Sequence, residues 1–229
     1  MPDDPIKLFA TRAEKFPQSN DSDATRAALE KIVEQIPVFG PATIHVISQF
    51  LVPGVERRRE SWFKDLADAV DRLKERVDGF DVGNLAQNED FISATIQATR
   101  IAIGTHQQQK LEALRNAVLN IALGRSLDEE KQRVFLGLVD IFTVTHLEIL
   151  RLFANPAVYP SNRRAELRER RQLTDPMVID LNDRGMLVDP RPYVARTRES
   201  PESLTLLGWT LSPLGKEFLS FIAPPEQMR

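Results

Sequence analysis

Few residues in this chain have types and spacing that could do chemistry. Cysteine is absent from the 229 residues, and there are three histidines, His45, His106 and His146. This removes disulfide frameworks, thiolate metal sites and cysteine nucleophiles. No two histidines are spaced as a metal motif, and no glycine-rich nucleotide loop or nucleophile elbow occurs. Three groups remain. Arg100 and His106 have five residues between them. On one straight helix six positions turn through about 600°, so the two side chains diverge by about 120°. Gly104 lies between them and can break the helix to bring them together. The second group is a run of arginines, Arg163, Arg164, Arg168, Arg170 and Arg171, offset by Glu166 and Glu169, with Arg191, Arg196 and Arg198 further on. Such a run either contacts a phosphate backbone or forms local ion pairs on a solvated face. The third group is apolar and then cationic: Ile44, Ile47, Phe50 and Leu51, followed by Arg57, Arg58 and Arg59.

The elements that must carry these groups are mostly helical. Composition is that of a soluble globular chain, with 42% hydrophobic and 28% charged residues. The net charge of −3 gives no whole-chain basic field to recruit nucleic acid. Met1 to Lys7 contains Asp3 and Asp4 and does not read as a signal peptide, so a cytoplasmic location is expected. Gln35 to Val55 is the longest uncharged run, but its mean hydropathy of about 1.2 is low for a membrane span. Its helical part after Pro41, about 18 Å long, is short for a hydrocarbon core of about 30 Å. Such a helix seldom stays exposed on a monomer, so residues 36–59 are expected to meet a partner, a second copy or a membrane surface.

Residues 1–22 read as a flexible arm, with room for one helical turn at Ile6–Phe16, and 224–229 as a tail. Helices are expected from Ala24 to Ile36, from Pro41 to Val52, and over 55–77 after a Pro53-Gly54 turn. The 55–77 helix has Trp62, Phe63, Leu66, Ala69, Val70, Leu73 and Val77 on one face. The next begins at Asn84 or Asn88 and carries Phe91, Ile92, Thr95, Ile96, Thr99 and Ile103. Helix 107–123 ends at Gly124. Ser126, with Glu129 three residues on, has the spacing of a capping box, and Val134, Phe135, Leu138, Val139 and Ile141 form the expected buried stripe of its helix. Asn116 and Asn120, one turn apart, can bond across a helix interface. From Thr145 the pattern changes. Helices at His146–Phe153, Ser161–Leu173 and Pro176–Arg184 (capped by Thr174) precede Gly185. Two strands follow, around 186–188 and 204–211, and a last helix runs from Pro213 to Ile222. The expected fold class is mainly α, an N-terminal helical bundle over 23–145 and a winged-helix module with a small β-hairpin over 146–223.

Three family resemblances follow from these residues. The stretch LNDRGMLV (181–188) with LTLLGWTLSPLGKEFLSFI (204–222) resembles the end of bacterial winged-helix proteins, where a third helix stops at glycine and an LSPLG turn opens the last helix. Asn84, Asn88 and Glu89, then KLEALRNAVLNIAL (110–123) and FLGLVDIFTVTHLEILRLF (135–153), resemble the abortive-infection alpha family. Asn116 and Asn120 match its asparagine spacing, and Leu138, Phe142, His146 and Leu150 match its second helix. This resemblance covers about a third of the chain. It implies a bacterial, intracellular protein of phage defence with no catalytic residues to carry over. The order of Arg100 and His106 resembles the HEPN ribonucleases, which implies acid–base work for His106 and phosphate stabilisation for Arg100.

The reading placed first is a non-enzymatic interaction protein of abortive-infection type that acts through protein or membrane contact, with no metal and no cofactor. A winged-helix DNA-binding regulator using Arg163, Arg164, Arg168, Arg171 and the arginines at 191, 196 and 198 is one alternative. A metal-independent ribonuclease using Arg100 and His106 is the other. The recognition helix expected for the regulator, Pro176–Arg184, carries more carboxylates than arginines, which suits phosphates poorly.

Overall fold

The computed structural model describes residues 44–125, 127–157, 159–188 and 209–225, without the side chains of 44–53. The expectations for residues 1–43, for Ser126 and for the hairpin tip lie outside the described residues. Among the described residues the chain is mainly helical, with one small two-stranded antiparallel sheet. The helices are α1 (Ile44–Arg76), α2 (Val82–Leu85), α3 (Glu89–Gly104), α4 (Gln108–Ala122), α5 (Glu129–Ile141), α6 (Val144–Ala154), α7 (Ser161–Glu169), α8 (Arg171–Asp183) and α9 (Pro213–Ile222). Strands β1 (Leu187–Val188) and β2 (Thr210–Leu211) pair with Leu187 opposite Leu211.

Much of the punctuation follows the sequence. Asn88 caps α3 by accepting from the Phe91 N–H. Gly185, at φ +74°, closes α8: its N–H donates to Asn182 O, and Met186 N–H donates back to Leu181 O. That pair of bonds needs a left-handed residue, which glycine adopts without a Cβ penalty. Several boundaries differ from expectation, among them the end of α7, at Glu169 rather than Leu173. Pro53-Gly54 is not a turn: α1 runs through it for 33 residues, about 50 Å. Proline removes one helical hydrogen bond at a cost of about 3 kcal/mol, and the long packed face that follows outweighs it. The cap of α5 is Asp128, which accepts from Lys131 N–H. Thr174 does not start a helix; α8 begins at Arg171 and contains Pro176. The Thr174 hydroxyl is buried and donates to Leu167 O at 3.0 Å, tying α8 back to α7.

Two buried faces are also rotated from the expected ones. In α3 the inward residues are Phe91, Ala94, Thr95, Ala98, Thr99 and Ala102, so the alanines at intervals of four make a narrow face for close packing. Trp62 Nε1 on α1 donates to Thr99 Oγ1 at 3.0 Å, and Thr99 Oγ1 donates to Thr95 O. In α5 the buried side chains are Gln132, Phe135, Leu136, Leu138 and Val139, while Val134 and Ile141 are 52% and 55% exposed.

Helix α4 is the centre, packed against α1, α3, α5 and α9. One apolar core runs from Trp62 and Leu66 in α1 through Leu114 and Val118 in α4 to Phe218 and Phe221 in α9, so the core does not divide at residue 145. Phe218 meets both Phe135 and Phe142 edge-on, with ring centroids at 5.4 and 5.7 Å. Polar groups in this core cap helices other than their own. Arg58 donates to Ile103 O at the end of α3, and Lys110 Nζ to Asp140 O near the end of α5. Asn116 donates to Ile222 O, and Asn120 to both Phe221 O and Ala223 O at the end of α9. The last carbonyls of a helix have no partner within it, so each donor satisfies a group that burial would otherwise leave orphaned. Burial holds the Lys110 ammonium below the usual lysine pKa, and Asp140 offsets part of that.

Candidate functional site

The first candidate pair straddles the end of α3. Gly104 does end α3, and α4 starts at Gln108 beyond an extended Thr105. Arg100 and His106 are both exposed. Neither side chain carries a hydrogen bond or ion pair among the described residues, so no described neighbour orients the imidazole, which acid–base work requires.

The arginine run is partly committed to its own fold. Arg163 donates to Glu148 Oε1 at 2.6 Å, and also to Glu166 Oε2. These two carboxylates, Glu148 foremost, raise its pKa further above the arginine range. Close by, burial pushes the Tyr159 phenol up, with Glu148 adding to the shift. Arg164 is half-buried, and Arg168, Arg170 and Arg171 are exposed on α7 and at the start of α8. Arg191, Arg196 and Arg198 lie outside the described residues. Helix α8 turns Thr174, Val178 and Leu181 inward. Residues Gln172, Pro176, Ile179 and Asp183 are exposed and fall within about 60° of one another around the helix. This outward stripe contains no cation.

The apolar and cationic group at the start of α1 is also partly used in packing. Arg58 caps α3, and Arg59 lies 3.9 Å from Glu56. The side chains of Ile44, Ile47, Phe50 and Leu51 lie outside the described residues. No helix among the described residues is long and apolar enough to cross a membrane.

A cluster that residue spacing does not reveal lies at the contact of α6 with α8. Thr143 caps α6 by accepting from His146 N–H, and His146 Nδ1 accepts from Thr143 N–H at 3.2 Å. That makes a reciprocal capping box in which histidine stands where glutamate or glutamine usually does. The ring stacks on Phe142 with centroids 5.3 Å apart. Its Nε2 lies 3.6 Å from Asp180 Oδ2 on α8, and Asp180 in turn accepts from Arg184 at 2.9 Å. Arg184 also sits 5.9 Å from the Phe142 ring centroid. Because Nδ1 accepts from a backbone N–H, the neutral ring carries its proton on Nε2, facing Asp180. Nδ1 is therefore occupied, while Nε2 faces Asp180 beyond direct hydrogen-bond distance, so the cluster sets the ring of α6 against α8. The threonine three residues before His146 was the one legible signal.

No family model, no curated protein and no solved structure matches this chain. The geometry of the α6–α8 contact stands independently of any relative.

That geometry makes His146 a pH-sensitive contact. Burial is the largest effect on its pKa and lowers it, Asp180 raises it, and Arg184 lowers it further. The unfolded chain then takes up the proton at higher pH than the folded one, starting near the ordinary histidine value of about 6.5. Stability from this site is present above that value and falls as pH drops through it. A glutamine in place of His146 can still accept from Thr143 N–H but cannot titrate. In urea unfolding followed at pH 5.5 and 7.5, the wild-type midpoint is expected to fall at the lower pH and that of His146→Gln to change less. Equal pH dependence in the two would refute the assignment to His146.

Proposed function

We propose that this chain is a non-enzymatic helical interaction protein of the abortive-infection type, working through protein contact at a winged-helix-like end formed by α6 to α9. The order of α6, α7, α8, β1, β2 and α9 supports the winged-helix reading. The observation that carries the choice of protein over DNA is the outward stripe of α8. In a DNA-reading winged helix this third helix enters the major groove and needs donors for base edges and phosphates. Here it presents Gln172, Pro176, Ile179 and Asp183. The commitment of Arg163 to Glu148 and Glu166 further reduces the charge available to a phosphate backbone. The resemblance of 110–123 and 135–153 to abortive-infection alpha proteins supports a role in phage defence.

The regulator reading keeps one observation in its favour, the exposure of Arg168, Arg170 and Arg171 on adjacent turns. Two measurements separate the readings. In fluorescence anisotropy with a random duplex at low salt, no binding is expected below about 10 µM, where non-specific DNA binders already bind. Phage plating on bacteria expressing the chain is expected to show protection that Ile179→Glu abolishes and His106→Ala leaves intact. Salt-sensitive duplex binding lost in Arg164→Ala with Arg168→Ala would replace the proposal with the regulator. Loss of protection in His106→Ala would replace it with the ribonuclease. Failure of the wild-type chain to protect would remove the defence role.

A further inference from the structure

We infer that α5 is a self-association surface, through which two copies of this chain pack antiparallel about a two-fold axis at Gly137. The surface is on a different helix from the α8 stripe and does not rest on the proposed function.

Glycine inside a helix is destabilising relative to alanine, and a fold retains it where a neighbour approaches too closely for a Cβ. At Gly137 a Cβ would meet nothing within 4 Å, and φ is not positive. Among the described residues, the fold of one chain therefore gives no reason for glycine there. The residues on its two sides give one for a second chain. Val134 and Ile141 stand three before and four after it, and both are more than half exposed. At 100° per residue, positions 134, 137 and 141 lie within about 60° of one another, opposite the buried arc through Gln132, Phe135 and Val139. An apolar stripe with a glycine at its middle lets a second helix cross at close range.

The flanks select the occupant. Arg133 and Asp140 are seven residues apart and so sit within about 20° on the same side of the stripe. When an antiparallel copy is generated by a two-fold axis through Gly137, residues before the glycine meet residues after it on the same flank. Val134 then faces Ile141 of the second copy, and Arg133 faces its Asp140, each twice. The stripe is self-complementary in shape and in charge, as an isologous contact must be. Arg133 is free to exchange: its present bond to Glu129 Oε1, at 3.0 Å, is an exposed i,i+4 pair with side chains 72% and 63% accessible. Its backbone is meanwhile held by Gln97, which donates to Arg133 O, so the helix is fixed while its outer side chains can move. A single crossing covers less than the ~800 Å² per partner of a stable interface, so a dissociation constant of about 10–100 µM is expected.

Sedimentation of the full chain from about 5 to 500 µM tests this directly, the range spanning the expected constant. The wild type is expected to show a monomer–dimer equilibrium. Gly137→Glu, which blocks close approach at a position with open space around it, is expected to remain monomeric with unchanged circular dichroism, and Val134→Lys to behave alike. Because the chain has no cysteine, single substitutions report the geometry cleanly. Gly137→Cys lies on the axis and is expected to form an intermolecular disulfide under mild oxidation. Val134→Cys is expected to do so at least ten-fold more slowly, since its copy is displaced by about 9 Å along the helix, beyond disulfide reach. A wild type that is monomeric throughout, a Gly137→Glu variant that still dimerises, or equal cross-linking at 134 and 137 would each overturn the inference.

Discussion

Asn120→Asp is expected to destabilise the chain by roughly 3–5 kcal/mol. Asn120 is 1% exposed, and its amide donates to Phe221 O at 2.9 Å and Ala223 O at 3.0 Å. A carboxylate of the same shape donates nothing and faces those oxygens with a like charge. Two carbonyls at the end of α9 lose their partner, and a buried charge gains none. Against a total stability of about 5–15 kcal/mol this removes a large part of the whole. The effect depends on pH with a definite sign. The buried aspartate has a raised pKa in the folded state, so its penalty is smallest at low pH, where a protonated carboxyl can donate one bond. It grows as pH rises through the unfolded value of about 3.9. Urea unfolding of Asn120→Asp at pH 4 and pH 7 checks both points. A variant as stable as wild type at pH 7 would show that the asparagine does not hold α9. Asn116→Ala, which removes one donor to Ile222 O, is expected to cost less, about 1–3 kcal/mol.

Gly215→Ala is the second large effect, expected at about 3 kcal/mol or more. A Cβ on Gly215 would lie 2.2 Å from Met186 O and 3.0 Å from the Leu211 side chain. The obstacle is backbone, and that backbone is already fixed: Met186 O accepts from Ser212 N–H, and Gly185 O accepts from the Ser212 hydroxyl. Ser212 Oγ accepts in turn from Gly215 N–H at 2.9 Å, capping α9. The added methyl must part α9 from the turn that closes α8, which breaks this three-bond junction. Gly104→Ala is the matched control, because a Cβ there meets nothing within 4 Å; it is expected to be neutral or slightly stabilising. Thermal melts of the two variants decide the matter. A Gly215→Ala chain that melts with the wild type would mean that α9 can shift at little cost.

These two positions show how α9 is held at both ends. The LSPLG segment is a junction in which serine caps, proline starts α9 and glycine allows contact. The paired asparagines of α4 hold the far end of the same helix. Both elements that carried family resemblances thus converge on α9, which joins the bundle to the α6–α8 region.

Local chemistry was legible from the residues alone. An asparagine start at 84 or 88, Gly124 and Gly185 as stops, Pro213 at the start of α9 and the Trp62-to-Leu73 face of α1 are each set by a residue's own backbone preference or by period. The α5 face was not legible, because Val134, Phe135, Leu136, Leu138, Val139 and Ile141 spread apolar residues around most of the helix. Periodicity then admits several buried arcs, and packing against α3, α4 and α9 chose one that leaves Val134 and Ile141 outside. The passage of α1 through Pro53-Gly54 was hidden for a related reason: a local break signal is outweighed by contacts made further along the same helix.

Helical content and many of the helix ends could be read from the residues alone, since these depend on neighbours within a few positions of one another. Packing between distant segments chose which polar side chains are spent on the fold. Arg163 meets Glu148 fifteen residues away, Asn120 meets Phe221 across 101, and His146 meets Asp180 on another helix. A donor's type and spacing say what it can bond. Which acceptor loses its water, and so must be satisfied there, is fixed when the helices pack.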